Sequence, residues 1–272
     1  MYTRWTKQIA SLVLTLVFAA MASTSFGTLF VSETFSHPDG NLAGQSPEVG
    51  GTWATHSGTG DVPVSVVGGQ AQLTHGSLSR DDVNVPFAGG AVIGAGDIVY
   101  SGFDLSLADP GAAISDVYFA HFFENTSTFG SRIWITAPTT SGYRLALSGD
   151  SSITDNDGEA YWAGDLSFGT TYRVVTSYSF DDGEAQMWVD PVSEASTSVM
   201  STDGVAMDEF AAYALRQSSG NTIQIIDNLR VATTFAQAVA IPEPGAVLFG
   251  GLVCCIVGAA AGWRKVFRTK PN

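Results

Sequence analysis

The chain has 272 residues, with 12 Lys and Arg against 26 Asp and Glu, and a formal net charge of −14. The imbalance is concentrated in residues 23–240, which hold six Arg, no Lys and 25 acids, a net of −19. A surface of that sign repels nucleic acid and anionic lipid, so no nucleic-acid partner is expected. The same span contains no Cys, so no disulfide supports its fold.

In chain order, the first element reads as a secretory leader over residues 1–22. Arg4 and Lys7 form a positive n-region, Ile9 to Ala20 an apolar h-region, and Ala20-Met21-Ala22 a small-x-small cleavage site. The mature chain is then expected to begin at Ser23, after passage through the Sec export machinery.

Residues 23–240 are enough for one large domain with its own core. No stretch sustains a 3.6-residue apolar period beyond two turns, while short β-rich runs are cut by Gly, Asp, Asn, Ser and Pro. The runs predict strands at Val62–Val67, Ile98–Leu107, Val117–Phe123, Ile133–Thr136, Tyr143–Leu147, Tyr172–Phe180, Ala185–Val189 and Thr222–Val231. The sharpest hairpin is Thr171–Phe180, the turn Asp181-Asp182-Gly183, and Glu184–Asp190. Three turn residues ending in Gly suit a type I turn with a left-handed bulge position. Pro191 lacks the N–H to continue the second strand. Within the hairpin, Val174, Thr176, Tyr178, Met187 and Val189 are expected on one face, with Gln186 and Trp188 on the other. Many strands without helical interludes argue for a β-sandwich.

Ser32-Glu33-Thr34-Phe35 with Asp39-Gly40-Asn41-Leu42 and Gly44-Gln45 resembles the opening strand of concanavalin A-like, laminin-G-like jelly rolls. Tyr172-Arg173-Val174-Val175 with Met187-Trp188-Val189-Asp190-Pro191 is similar to their central hairpin, and Ile226-Asp227-Asn228-Leu229-Arg230-Val231 to their closing strand. The resemblance implies an all-β jelly-roll sandwich whose first and last strands are neighbours. Laminarinase-like glycosidases share that fold and need a Glu-x-Asp-x-x-Glu strand carrying paired carboxylates. No such pattern occurs in this chain, so no catalytic residue is assigned and a non-enzymatic domain is expected; a glycoside hydrolase with an unfamiliar acid pair is the alternative.

His37, His56, His75 and His121 are scattered without metal-ligand spacing. Asp155-Asn156-Asp157-Gly158-Glu159 is the best ion site on offer. Asp155, Asn156, Asp157 and Glu159 bring oxygen ligands around a Gly that permits a sharp turn, a pattern that suits Ca²⁺. The following Tyr161 and Trp162 are candidate sugar-stacking rings, with Trp53 and Trp134 as further aromatics; Trp134 should face opposite to Ile133 and Ile135.

Residues 241–272 close the chain. Ile241-Pro242-Glu243-Pro244-Gly245 precedes 18 uncharged residues, Ala246 to Trp263, and then Arg264, Lys265, Arg268 and Lys270. An 18-residue helix rises about 27 Å, enough for a bilayer core, and the basic cluster after it marks the cytoplasmic side. Cys254 and Cys255 lie inside the apolar run as small packing residues. The order Pro242-Glu243-Pro244, short apolar helix, basic stop resembles the sorting signal of bacterial PEP-CTERM proteins. That resemblance implies an exosortase-type membrane peptidase as partner and delivery to the cell surface or extracellular matrix. A plain single-pass anchor is the alternative. The expected work of the domain is adhesive or structural, with extracellular polysaccharide as its candidate partner.

Overall fold

The computed structural model describes residues 27–239, apart from 59, 79, 126–127, 150–159 and 202–205. The expected leader, the Asp155–Glu159 loop and the 241–272 tail lie outside the described residues. Among the described residues, no helix is long and apolar enough to cross a membrane.

Among the described residues, eighteen strands run in the order β1 (Leu29–Glu33), β2 (Gly40–Asn41), β3 (Ala54–Ser57), β4 (Ser65–Val67), β5 (Gln70–Thr74), β6 (Asp82–Pro86), β7 (Ile93–Gly94), β8 (Ile98–Leu107) and β9 (Val117–Asn125). They continue as β10 (Thr128–Thr136), β11 (Arg144–Ser148), β12 (Ala160–Tyr161), β13 (Tyr172–Ser179), β14 (Ala185–Val189), β15 (Ser198–Ser201), β16 (Glu209–Phe210), β17 (Ala212–Leu215) and β18 (Ile223–Ala232), before a short helix α1 (Phe235–Val239). Nine strands make one sheet, in the order β15-β14-β13-β8-β18-β5-β4-β2 with β1 also on β18. Seven make the other, β12-β11-β10-β9-β17-β6-β3, and β7 pairs with β16. The chain is therefore an all-β sandwich.

Strand alternation sorts the side chains into core and outer faces. Val174, Tyr178, Ala185 and Met187 join Phe103, Leu105, Ile133, Ile135, Leu145, Leu147 and Tyr213 in the layer between the sheets. The β13–β14 turn closes as its sequence dictates. Gly183 takes φ 69° and its N–H donates to the Ser179 carbonyl at 2.9 Å. β1 and β18 pair antiparallel, Val31 opposite Val231, which brings the ends of the domain together.

Trp188 departs from an ordinary outer-face residue. It points away from the central core, as expected for its position, yet is only 1% exposed. The cause is α1, which folds back over the nine-stranded sheet. Phe235 packs edge-on against Tyr100 and Trp188, and Val175, Ala238 and Val239 complete a second apolar cluster. The strands β5, β6 and β17 were not predicted. Gln70–Thr74 and Asp82–Pro86 are short and half polar, and Ala212–Leu215 alternates Ala with Tyr and Leu, so none gives a strong apolar period.

His75 makes the sandwich sensitive to acid. Burial, reinforced by the positive charges of Arg216 and Arg80, pulls its pKa from 6.5 to about 4. The unfolded chain therefore takes up a proton below pH 6.5 that the native protein refuses until near pH 4. Stability is full above pH 6.5 and falls as the pH drops toward 4, by about 3 kcal/mol for this group. Urea midpoints taken across that window in wild type and His75→Gln are expected to converge at low pH; parallel curves would exclude His75 as the cause.

Candidate functional site

The outer face of the seven-stranded sheet carries a row of rings and guanidinium groups that crosses most of its width. Backbone register sets the row. Tyr161 lies opposite Ala146, Ala146 opposite Trp134, and Trp134 opposite Tyr118. The row continues through Arg216, which follows β17 and donates its N–H to the Phe119 carbonyl at 2.8 Å, to Asp82 on β6. The Arg216 guanidinium stands 4.1 Å above the Tyr118 ring and 3.9 Å from Asp82. Arg132 lies 5.3 Å from the centroids of both Tyr118 and Trp134, and Arg144 lies 4.9 Å from that of Tyr161. Three of the six arginines of residues 23–240 thus share this face with aromatic rings, a geometry in which ring quadrupoles hold the cations in place.

A bulge builds the centre of the row. The β9–β10 pairing slips around Ile133, beside Ser131 at φ 53°. An extra residue lets two neighbours face the same way. Phe119 and Ala120 both enter the core, leaving Tyr118 and His121 to face outward together. His121 then sits 4.8 Å from Phe129, and His56 of β3 sits 4.7 Å from Phe123. Burial depresses both imidazoles, His121 well below the ordinary value, so both are neutral at pH 7. Beside this wall the face is floored by small residues: Ala214 lies between His121 and Asn84, and Asn84 opposite Ala54.

Asp82 is held by neighbours rather than left free. Its Oδ2 accepts from Ser57 Oγ at 2.7 Å and its Oδ1 from the Gln217 N–H at 2.8 Å, and burial raises its pKa. Among the described residues it is the single carboxyl group of the row. Among the described residues, no group of three His, Cys, Asp or Glu is arranged to hold a metal ion. The Asp155, Asn156, Asp157 and Glu159 candidates lie outside the described residues.

The aromatic candidates separate. Tyr161 is 37% exposed on the outer face, while the neighbouring Trp162 turns toward the core and uses its carbonyl to accept from Arg144 Nε at 2.7 Å. Trp162 directly follows β12 and keeps its alternation, so the two rings face opposite ways and cannot form one platform. Trp53 is buried, its Nε1 donating to Glu33 at 2.9 Å. Trp134 faces opposite to Ile133 and Ile135 but is covered, donating to Ser148 Oγ at 2.7 Å. Tyr118, Arg132, His121 and Arg216 are not legible as a set in the sequence, because three separated segments supply them.

No known family matches the chain, and no curated protein matches it by sequence. Solved structures do. A sialidase is 17% identical with a TM-score of 0.45, covering 76% of this chain and 19% of the sialidase. The Emp47p carbohydrate recognition domain is 10% identical with a TM-score of 0.45, covering 75% of this chain and 97% of that one. The binding domain of botulinum neurotoxin DC in complex with SialylT is 11% identical with a TM-score of 0.49, covering 83% of this chain and 51% of that one. The chain thus spans about a fifth of the sialidase and half of the toxin domain. At these values no ligand or activity is carried over.

Proposed function

We propose that the protein is an exported, concanavalin A-like β-sandwich that binds extracellular polysaccharide without cleaving it, through the outer face of the seven-stranded sheet. The observation that carries this reading is the stacked row Tyr161, Arg144, Tyr118 and Arg216, in which half-buried rings lie beside fixed guanidinium donors. A sugar offers C–H faces to rings and hydroxyls to donors, and rigid aromatics lose little entropy on binding. Among the described residues the row holds a single carboxyl group, and hydrolysis takes a pair. Export through the leader, and sorting by an exosortase-type peptidase acting at Pro242-Glu243-Pro244, belong to the same proposal. The support for them is the arrangement of apolar and charged residues at the two ends of the chain. Calcium held by Asp155, Asn156, Asp157 and Glu159 would stiffen the loop that leads into Tyr161.

One experiment addresses these statements. Protein from its native host is weighed, and loss of both the leader and the 246–272 tail is expected; a retained tail means a plain anchor. The full chain, purified in neutral detergent, is then run through polysaccharide-containing gels with and without Ca²⁺. Retardation is expected, with Tyr118→Ala or Tyr161→Ala weakening it about tenfold, equal to about 1.4 kcal/mol. Release of reducing sugar, or retardation unchanged in both variants, would overturn the reading.

A further inference from the structure

A cavity lies on the opposite side of the sandwich from the aromatic row. A cavity of about 300 Å³ opens on the outer face of the nine-stranded sheet, beside the end of α1, lined by Ser32, Asp104, Arg173, Asn228, Arg230 and Val239 among others. Its donors and acceptors do not balance. Asp104 is committed, its Oδ1 accepting from Arg173 Nη1 at 3.1 Å and its Oδ2 from Asn228 Nδ2 at 2.8 Å. Glu33 borders the cavity, but its carboxyl group turns inward to Trp53, Phe35 and His37. Arg173 spends its remaining η contacts on the Asn228 carbonyl at 2.9 Å and the Ala238 carbonyl at 2.6 Å. Arg173 Nε is left buried without a hydrogen-bond partner. The half-buried Arg230 guanidinium has no hydrogen bond or ion pair among the described residues. Ser32 Oγ is also without a partner there. A buried donor without an acceptor is costly, so unused N–H groups around a cavity specify an acceptor-rich ligand.

We infer that this cavity binds the carboxylate of an acidic sugar, a uronate, with the carboxylate paired to Arg230 beside the Arg173 guanidinium. Guanidinium groups pair with carboxylates through short charge-assisted bonds, and Ser32 and Asn228 remain to meet ring hydroxyls. The volume is at the small end for ligand sites and suits one ring. The carboxylate rests on the pocket alone; the sugar rests on the proposed function. The net −19 of residues 23–240 opposes a polyanion at long range, but charges beyond about 10 Å are screened at ~0.1 M salt, whereas contact with Arg230 is not.

The test is calorimetric titration of the full chain, in neutral detergent at ~0.1 M salt, with glucuronate, glucose and acetate. Glucuronate is expected to bind more tightly than either control. Arg230→Gln should weaken it about tenfold with an unchanged unfolding midpoint, since that side chain makes no hydrogen bond or ion pair among the described residues. Tyr118→Ala should leave glucuronate binding intact, which separates this site from the opposite sheet face. Absence of glucuronate binding, glucose or acetate binding as tightly, or indifference to Arg230→Gln would each overturn the assignment.

Discussion

Replacing Glu33 by Ala is expected to cost about 3–5 kcal/mol, a large share of the ~5–15 kcal/mol that holds a domain folded. Glu33 is only 1% exposed. Its Oε1 accepts the Phe35 N–H at 2.5 Å, and its Oε2 accepts Trp53 Nε1–H at 2.9 Å and lies 3.2 Å from His37 Nε2. One carboxyl group therefore satisfies two buried donors, one from its own segment and one from Trp53, 20 residues further along the chain. Truncation leaves both donors dry and unpaired, at about 1–3 kcal/mol each. It also removes the contact that holds Phe35 at φ 51°, a left-handed conformation costly for a bulky residue. Urea unfolding followed by tryptophan fluorescence reads the loss. Glu33→Gln, which keeps the shape and one acceptor oxygen, should recover part of it. A loss below about 1 kcal/mol for the Ala variant would mean that water replaces the carboxyl group, and the account given for this corner of the core would fail.

Gly102→Val is the second large effect, and it acts through α1. Gly102 lies on the outer side of β8, where any Cβ would overlap the Ala238 carbonyl. The helix has to lift. It then loses the Phe235 contacts, with ring centroids 5.1 Å from Trp188 and 6.1 Å from Tyr100, together with the Arg173 bond to Ala238. Exposing Phe235 and uncovering Trp188 should cost about 3 kcal/mol and shift tryptophan emission to the red. The double variant Gly102→Val/Phe235→Ala discriminates the mechanism. If lifting α1 is the whole effect, the second substitution adds little to the first. Full additivity would show that Gly102 serves the sheet itself.

These two sites differ in how far the sequence discloses them. Ile98–Leu107 and Ala185–Val189 are read from sequence with the boundaries the structure gives, because uninterrupted β-rich runs end at clear turn residues. The Asp181-Asp182-Gly183 turn is equally legible, since only a residue tolerant of positive φ fits its third position. Ala212–Leu215 is not, because Ala on its outer side hides the alternation, yet that strand lies in the interior of the seven-stranded sheet, between β9 and β6. Of the candidate site, Tyr161 was visible as an aromatic beside a turn. Tyr118 and Arg216 are 98 positions apart and meet only because Ala212–Leu215 pairs beside Val117–Asn125. Glu33 read only as part of an opening strand, with nothing nearby to announce Trp53 as its partner.

The sequence by itself determined that the domain is β, where its best turns fall, and which side chains share a face in the strands without bulges, because period two and turn chemistry are local properties. The tertiary structure alone decided what each face meets. Strand order brought Tyr118, Arg132, Arg216 and Asp82 to one row. The return of α1 buried Trp188 on one outer face and framed the Arg173–Arg230 cavity beside it. Those outcomes depend on contacts between segments far apart in the chain, and local backbone preference carries no information about which distant strand becomes a neighbour.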